Sequence, residues 1–591
     1  MSRNKKASPH LTAWLWGIAA ATLLFALLFA LAGFSYIGSD DQPILRSFMG
    51  YEGGSPAHYH LYLHTFLAWS LHGLALLAPG VAWFSVLQLF LLWFSCAVLV
   101  KSLAQSAKQR GLPAWAGALA GIALLAAFAL YILCRVSYTT TGALLGSAAV
   151  AQLMSIDYQK GTNSQILRGM LLSVALLLSC YSLRQIGALP PLAFWTLAIF
   201  FLYMLHFSPR AQKDKAAPRS PKPLLLGVLV CALSFGLFAG VRAMEIKSLH
   251  LEDYLKWQTA RIQLFDYTAF DENTDPATLE ALGWSPEKFK LVSNWFFMDE
   301  SITAEAFEAL YAAQMENVDT SVGTRAAAAV QTLKGFFAVN PAYLPACGLL
   351  LLLCAATALA FLFQKESSQW LALAPVAGGL LGVALLLYLS YQGRLPMRAA
   401  ASAILPTAAF LFGLLPYAPR PPLRPRSKTA AVLAPLCAAC LLLTAVTTAQ
   451  TLPLLNPLVD PDDKLRQESI PVDLDAFALD NPDMLIIYDL SMIGDLRMFP
   501  DTSQGIPGNL MFWGGYPARS PSWLYQLEQY GVDGNAMTAQ DFLRENVLVA
   551  SSDGQPWESL VGHVQQEAEG EADWDFYDEY GYIGFFQFYE Y

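Results

Sequence analysis

Ser39-Asp40-Asp41-Gln42 stands directly after a long uncharged run and puts two adjacent carboxylates at its end. One such carboxylate can act as a general base on an acceptor hydroxyl, while its neighbour holds a metal, a donor group or a structural hydrogen bond. A base working near neutral pH needs a raised pKa, which like charge or partial burial supplies. Asp40 and Asp41 are therefore the catalytic candidates, with Asp40 slightly favoured because it comes first after Ser39; ordinary surface charge is the plain alternative. Just downstream, Tyr51-Glu52-Gly53-Gly54-Ser55-Pro56 leads into His58, His60 and His64, three of the eight histidines. Gly53-Gly54 allows a tight chain reversal. His58 and His60 alternate along the chain, a poor zinc spacing, so Glu52 and the three histidines are read as hydrogen-bonding partners for a carbohydrate or phosphate.

A second group of candidates is basic. Arg135, Arg184, Arg242, Arg394 and Arg398 lie at the ends of apolar runs, on the side where positive charge is otherwise scarce. A guanidinium fork matches phosphate oxygens, and a lipid phosphate sits at that depth; structural ion pairing is the alternative. Arg394 and Arg398 share a face if that stretch is helical. Arg135 opens a hydroxyl-rich stretch, Val136-Ser137-Tyr138-Thr139-Thr140-Thr141-Gly142, whose polar groups need partners at a membrane boundary. Far along the chain, Trp513 and Arg519 sit in a polar and aromatic segment suited to sugar stacking or, equally, to core packing.

The elements that must position these residues are set by hydrophobicity. Of 591 residues, 55% are hydrophobic and 14% charged, a balance that places the chain among membrane proteins. The runs 14–34, 83–100, 341–363 and 429–449 hold no charge, and a bilayer core needs roughly 20 apolar residues of helix. Adding the more polar companions predicts about eleven spans, at 14–34, 83–101, 113–134, 136–154, 165–183, 186–206, 224–243, 341–363, 370–391, 396–416 and 429–449. The first run is too long for a signal peptide and lacks a cleavage pattern, so it reads as a retained span. The basic stretches 3–6, 101–110, 210–222 and 420–428 then belong in the cytoplasm, with the short stretch 364–369 beside them, which puts the N-terminus inside and the C-terminus outside. The apolar stretch 61–77 would break that parity if it crossed. It reads instead as a helix on or dipping into the outer surface, with His64 and His72 roughly on one face.

Four domains follow: a transmembrane module over 1–243 with an outer loop at 35–82, an extracytoplasmic loop domain over 244–340, a second transmembrane module over 341–449, and an acidic extracytoplasmic domain over 450–591. In the loop domain, a helix beginning at Glu252 gives way to a turn-rich break at 271–276 and a second helix from about Ser301, with Ser301 and Glu305 as a loose capping box. The last domain carries 25 acidic against five basic side chains and no cysteine. It has a strand at 484–488, a helix near 522–530, and an aromatic tail from 574 that packs back on the protein or the interface. All eight cysteines fall in or at apolar segments, so no disulfide framework is expected, and Cys437 with Cys440 reads as helix packing. The acidic balance argues against nucleic acid, and no phosphate-binding loop, dinucleotide fingerprint or zinc protease motif is present.

With an acidic pair after the first span, a surface helix in the same loop and a C-terminal outer domain, the chain resembles membrane glycosyltransferases of the GT-C fold class. That resemblance implies an all-α polytopic membrane protein with an extracytoplasmic α/β C-terminal domain. It implies inverting transfer of a sugar from a polyprenyl phosphate donor to a glycopolymer, lipid or protein acceptor of the cell envelope, among membrane lipids, with Asp40 or Asp41 as base and, in some relatives, a divalent cation such as Mg or Mn. One departure is plain: the proline-rich element that often precedes the loop helix is replaced here by Ser55-Pro56-Ala57-His58. Polysaccharide ligases and polymerases share this logic; a lipid-linked sugar flippase or other transporter, or a noncatalytic envelope-assembly scaffold, would also fit the span count.

Overall fold

A helix must run about 30 Å to cross a bilayer core, and at 1.5 Å per residue that takes about 20 residues. In a computed structural model of the chain, nine helices among the described residues are long and apolar enough, from Leu11–Ala32 to Pro435–Leu455. The protein is a polytopic, mostly α-helical membrane protein with a mixed β-sheet near its C-terminus. The structure describes residues 9–38, 40–207, 220–266, 270, 274–316, 318–319, 321–363, 366–417, 428–455, 461–489, 492, 496–532, 534, 536–552 and 557–591. Ser39, the basic stretch 3–6, nearly all of 210–222 and 420–428, half of the turn expected at 271–276 and part of 364–369 lie outside those residues.

Two of the eleven expected spans fall short. The run 113–134 divides into Ala114–Phe128 and Leu130–Cys134, because Ala129 leaves helical geometry at φ −120° and ψ −12°. The run 136–154 becomes Tyr138–Met154, 17 residues long and buried at every position. Such a helix is apolar because it is surrounded by protein, which hydropathy cannot tell from being surrounded by lipid. The second span also runs past its expected end at 101, to Gln109. Lys101 thereby enters the protein interior, where Nζ donates to Gln152 Oε1 at 2.6 Å and faces the Trp14 ring.

The chain forms two compact units. The first, residues 1–35, 87–241 and 325–457, is helical. Tyr138–Met154 is its centre, packed by Asn163–Leu183, Leu189–His206 and Met397–Leu414. Close approach is bought with small residues, as is usual between membrane helices. A Cβ on Gly146 would lie 2.3 Å from Pro191 Cβ. All eight cysteines are free.

The second unit joins residues 36–86, 242–324 and 458–591. Its five-stranded sheet has the order Leu510–Phe512, Leu485–Tyr488, Val547–Ser551, Ile583–Glu590, Ala572–Tyr580, with the first three strands parallel and the last two antiparallel. Leu485–Tyr488 and Val547–Ser551 are buried throughout, as strands covered on both faces must be. The strand expected at 484–488 and the helix expected near 522–530 are thus present, the latter as Pro521–Gln529. The aromatic tail forms the last two strands. The helix expected from Ser301 is Ala304–Glu316, and Thr303 rather than Ser301 caps it, its hydroxyl accepting from Ala306 N. The stretch 61–77 becomes Thr65–Leu77, 13 residues and too short to cross, with Phe66, Trp69, Leu76 and Leu77 exposed.

Candidate functional site

Asp40 and Asp41 open the helix Asp41–Met49, whose nine residues are all buried. Asp41 lies in the first turn, where the helix dipole favours a negative charge. Asp40 is partly exposed, and its carbonyl accepts the Tyr516 hydroxyl at 3.2 Å. Tyr516 is itself held from another segment: its carbonyl accepts from Tyr254 Oη at 3.0 Å and from Gln258 Nε2 at 2.8 Å. At the far end of the short helix Gly50 takes φ 95°, a left-handed cap that turns the chain into Tyr51-Glu52.

The next turn is where a cleft forms. Gly53 and Gly54 both adopt positive φ, 70° and 72°, and Gly53 N donates to Gly508 O at 3.1 Å. Glu52 bridges to Asn509 in the antiparallel sense. A Cβ on Gly508 would meet Gly54 backbone atoms at 2.8 Å, so the two chains touch because neither has a side chain there. Glu52 Oε2 accepts from Ser522 Oγ at 2.8 Å. Burial pushes the Glu52 carboxyl up to about 7, against smaller opposing effects of Ser522 and Arg46. Arg46 is itself committed, with Nη2 2.8 Å from Asp475 Oδ1 and the guanidinium over the Tyr51 ring. Arg46, Tyr51, Tyr488, Trp523 and Gln526 line the cleft with Glu52.

His60 and Arg242 belong to a neighbouring group of the same unit. Arg242 is buried, 2.5 Å from Glu245 Oε2, and it donates to Tyr59 Oη and to the His60 and Leu61 carbonyls. His60 Nδ1 accepts from Tyr62 N, so its proton is on Nε2. Burial and Arg242 pull its pKa down to about 3, and the ring lies against Tyr516 at 5.1 Å. His64 does not share a helix face with His72, as expected above, because it stands outside the helix as the N-cap, accepting from Phe66 N. His58 packs against Trp69 and His72, and burial, then His72, lowers its pKa.

The other basic candidates sit in the helical unit. Arg135 donates to Ser35 Oγ at 3.0 Å and to the Leu455 carbonyl. Arg184 donates to Thr139 Oγ1 at 2.5 Å and Tyr138 Oη at 3.2 Å, which joins two of the predicted residues. Arg394 and Arg398 do not share a helix face, because the helix Met397–Leu414 begins after Arg394. In the second unit Trp513 is in the core, edge-on to Phe296 and Trp557. Arg519 takes φ 62°, donates to Asp299 O at 2.8 Å and covers Trp257. Burial lowers its pKa to about 10, leaving it charged.

Metal-capable side chains converge away from the acidic pair. Among the described residues Asp299, His563 and Glu567 place one ligand atom each within 4.8 Å of one another and could hold a divalent cation. Lys288 already provides positive charge there, with Nζ 3.2 Å from Asp299 Oδ1 and 2.5 Å from Glu567 Oε2. The Lys288 ammonium contacts Asp299 Oδ1 and Glu567 Oε2, whereas His563 faces the other two oxygens, Oδ2 and Oε1. The sequence reading did not single out Arg46, Ser522, Gln526, Lys288 or His563. Ser522 and Gln526 had a local signal, being four apart and on one face of a readable helix.

No family model matches the chain, and no curated protein does. Among solved structures, the crystal structure of ArnT from Cupriavidus metallidurans bound to undecaprenyl phosphate is similar over 97% of this chain and 97% of that one, at 12% identity and a TM-score of 0.39. That is a weak structural likeness, and it assigns neither a site nor a reaction.

Proposed function

We propose that the protein transfers a sugar from a polyprenyl phosphate carrier to an extracytoplasmic acceptor. The observation that carries this reading is the acidic pair of the second unit: Asp40 and Asp41 follow the first span directly and begin a helix buried along its whole length. A carboxylate that follows a span directly along the chain would be available to a lipid-borne donor. In the step itself, the acceptor oxygen bonds to the anomeric carbon and the carbon–oxygen bond to phosphate breaks. Polyprenyl phosphate leaves with the electron pair, the acceptor proton passes to Asp40 or Asp41, and the anomeric configuration inverts. The donor phosphate is assigned to the candidate arginines Arg135, Arg184, Arg394 and Arg398, which are only partly buried, and to Arg242, which is buried and pairs with Glu245. Glu52, His58, His60 and His64 then belong to the acceptor side.

The test is the transfer rate of purified protein with labelled polyprenyl phosphate sugars, with nucleotide sugars and a chelator as controls. Asp40→Asn or Asp41→Asn should lower turnover by about 10²–10⁴-fold with little change in donor affinity. Parental turnover in both variants, or consumption of a nucleotide sugar with the lipid donor inert, overturns the proposal in favour of a transporter or scaffold.

A further inference from the structure

The cleft beside Glu52 contains a polar atom that the fold leaves without a partner. Gln526 is fully buried on the helix Pro521–Gln529, and Nε2 donates twice, to Gly508 O at 3.1 Å and Leu510 O at 3.0 Å. Those two carbonyls fix the amide orientation, since a flip would set oxygen against oxygen. Oε1 has no hydrogen-bond partner. Leaving a buried acceptor unmet costs about 1–3 kcal/mol in general, so a folded protein seldom keeps one without an occupant in view.

Its position says which occupant. Ser522, one helical turn before Gln526, donates to Glu52 Oε2, and Glu52 is bridged to Asn509, between the two carbonyls that hold Gln526. Glu52 and Gln526 are thus fastened to the same three residues, the Gly508 carbonyl accepting both from Gly53 N and from Gln526 Nε2, and both line the cleft. The enclosed part measures about 10 Å³, enough for one water-sized group and no more. Two acceptors around such a space call for a single O–H or N–H donor. The Arg46 guanidinium lines the same cleft and disfavours a cation, which leaves a neutral hydroxyl.

We infer that this cleft is a subsite for one hydroxyl group of a carbohydrate, accepted by the Glu52 carboxyl and Gln526 Oε1. The choice of carbohydrate over another alcohol rests on the function proposed above. A sugar hydroxyl replaces the water that would otherwise fill the space and keeps its hydrogen bonds. The aromatic walls at Tyr51 and Trp523 suit the carbon-bound hydrogens beside that hydroxyl.

The experiment is calorimetric titration of the full-length protein, in nanodiscs free of glycosidic detergent, with a panel of methyl glycosides. At least one should bind, and Glu52→Gln and Gln526→Met should each weaken it about tenfold without lowering the unfolding temperature. Binding by the parent should strengthen as pH rises through about 7, where Glu52 ionises, and Glu52→Gln should flatten that dependence. If Gln526→Met does not fold, Ser522→Ala, which only releases the Glu52 carboxyl, should weaken binding instead. Absence of binding across the panel, or parental binding in the folded variants, overturns the inference and leaves the cleft to water. The two proposals fail separately: glycoside binding that depends on Glu52 survives a negative transfer assay, and transfer that depends on Asp40 or Asp41 survives a negative titration.

Discussion

Glu52 has a carboxyl whose environment, rather than its type, sets its chemistry. An exposed glutamate ionises near pH 4.3, whereas burial moves this one to about 7. The folded protein therefore holds the proton more tightly than the unfolded chain. Since stability falls with pH wherever the native state binds more protons, Glu52 should lower stability as pH rises from about 4.3 to about 7, with no further change above. Glu52→Gln should remove that loss and be the more stable form at pH 8, as read by denaturant unfolding at a series of pH values. An identical pH dependence in the two proteins would mean that the carboxyl is solvated. His60 is the counterexample in the same unit: with its pKa near 3 it stays neutral across the working range, so it can donate through Nε2 but cannot report pH.

Among the elements, the turn at Tyr51–Gly54 depends on its contact with the chain entering the strand Leu510–Phe512. Gly508 is the contact point. A methyl there would sit 2.8 Å from Gly54 backbone atoms, and backbone cannot swing aside as a side-chain tip can. Gly508→Ala should therefore push the turn off the strand and cost about 1–3 kcal/mol, with loss of glycoside affinity as Glu52 is displaced. Thermal unfolding together with the calorimetric titration checks this. Parental values in both would show that the turn has slack. Glycines at this turn were visible as a motif, but the partner that makes them necessary lies more than 450 positions away.

Two predictions concern the molecule as a whole. Lys288, Asp299, His563 and Glu567 join the loop before Ser301 to the helix Glu558–Glu567 inside the second unit. Burial alone would raise the Asp299 and Glu567 carboxyls, yet the nearby His563 ring, 3.3 Å from Asp299 Oδ2 and 3.5 Å from Glu567 Oε1, with Ser301 for Asp299 and Lys288 for Glu567, holds both below their ordinary values. Burial alone would lower His563, and the two carboxylates raise it instead. The depressed carboxyls contribute stability above about pH 4.5 that is lost as pH falls through their folded values. The raised histidine contributes stability in full below about pH 6.5 that is lost as pH rises through its folded value. For this network alone stability should peak between these limits, and His563→Gln should remove the histidine's part of the alkaline decline, leaving the part that Glu52 contributes below about pH 7 and the acid decline. A decline of unchanged slope in that variant would remove His563 from the network.

The remaining expectation at this scale is sidedness. An impermeant thiol reagent applied from outside should label cysteines introduced at exposed positions of 244–340 and 450–591, and should miss those placed in 210–222 or 420–428. Protection of a C-terminal probe would invert the orientation and move the acidic pair to the cytoplasm.

Hydropathy is a local sum, and what it can determine was determined by the sequence alone. The membrane class, most span positions, and the strand at 484–488 and helix near 522–530 of the acidic region follow from runs and periods within some twenty residues, whereas 61–77 was kept out of the membrane by the parity of the loop charges. The acidic pair and the glycine turn were legible for the same reason. The tertiary structure decided whatever depends on neighbours distant in sequence. Ala129 interrupts an apolar run whose composition gives no sign of it, and Tyr138–Met154 is apolar because protein surrounds it. Lys101 is inside because Gln152 and Trp14 meet it there. Glu52 is hydrogen-bonded to Ser522 and shares its cleft with Gln526 because both arrive on a helix some 470 positions away. Burial, pairing and pKa are properties of such meetings, and no single stretch of chain contains them.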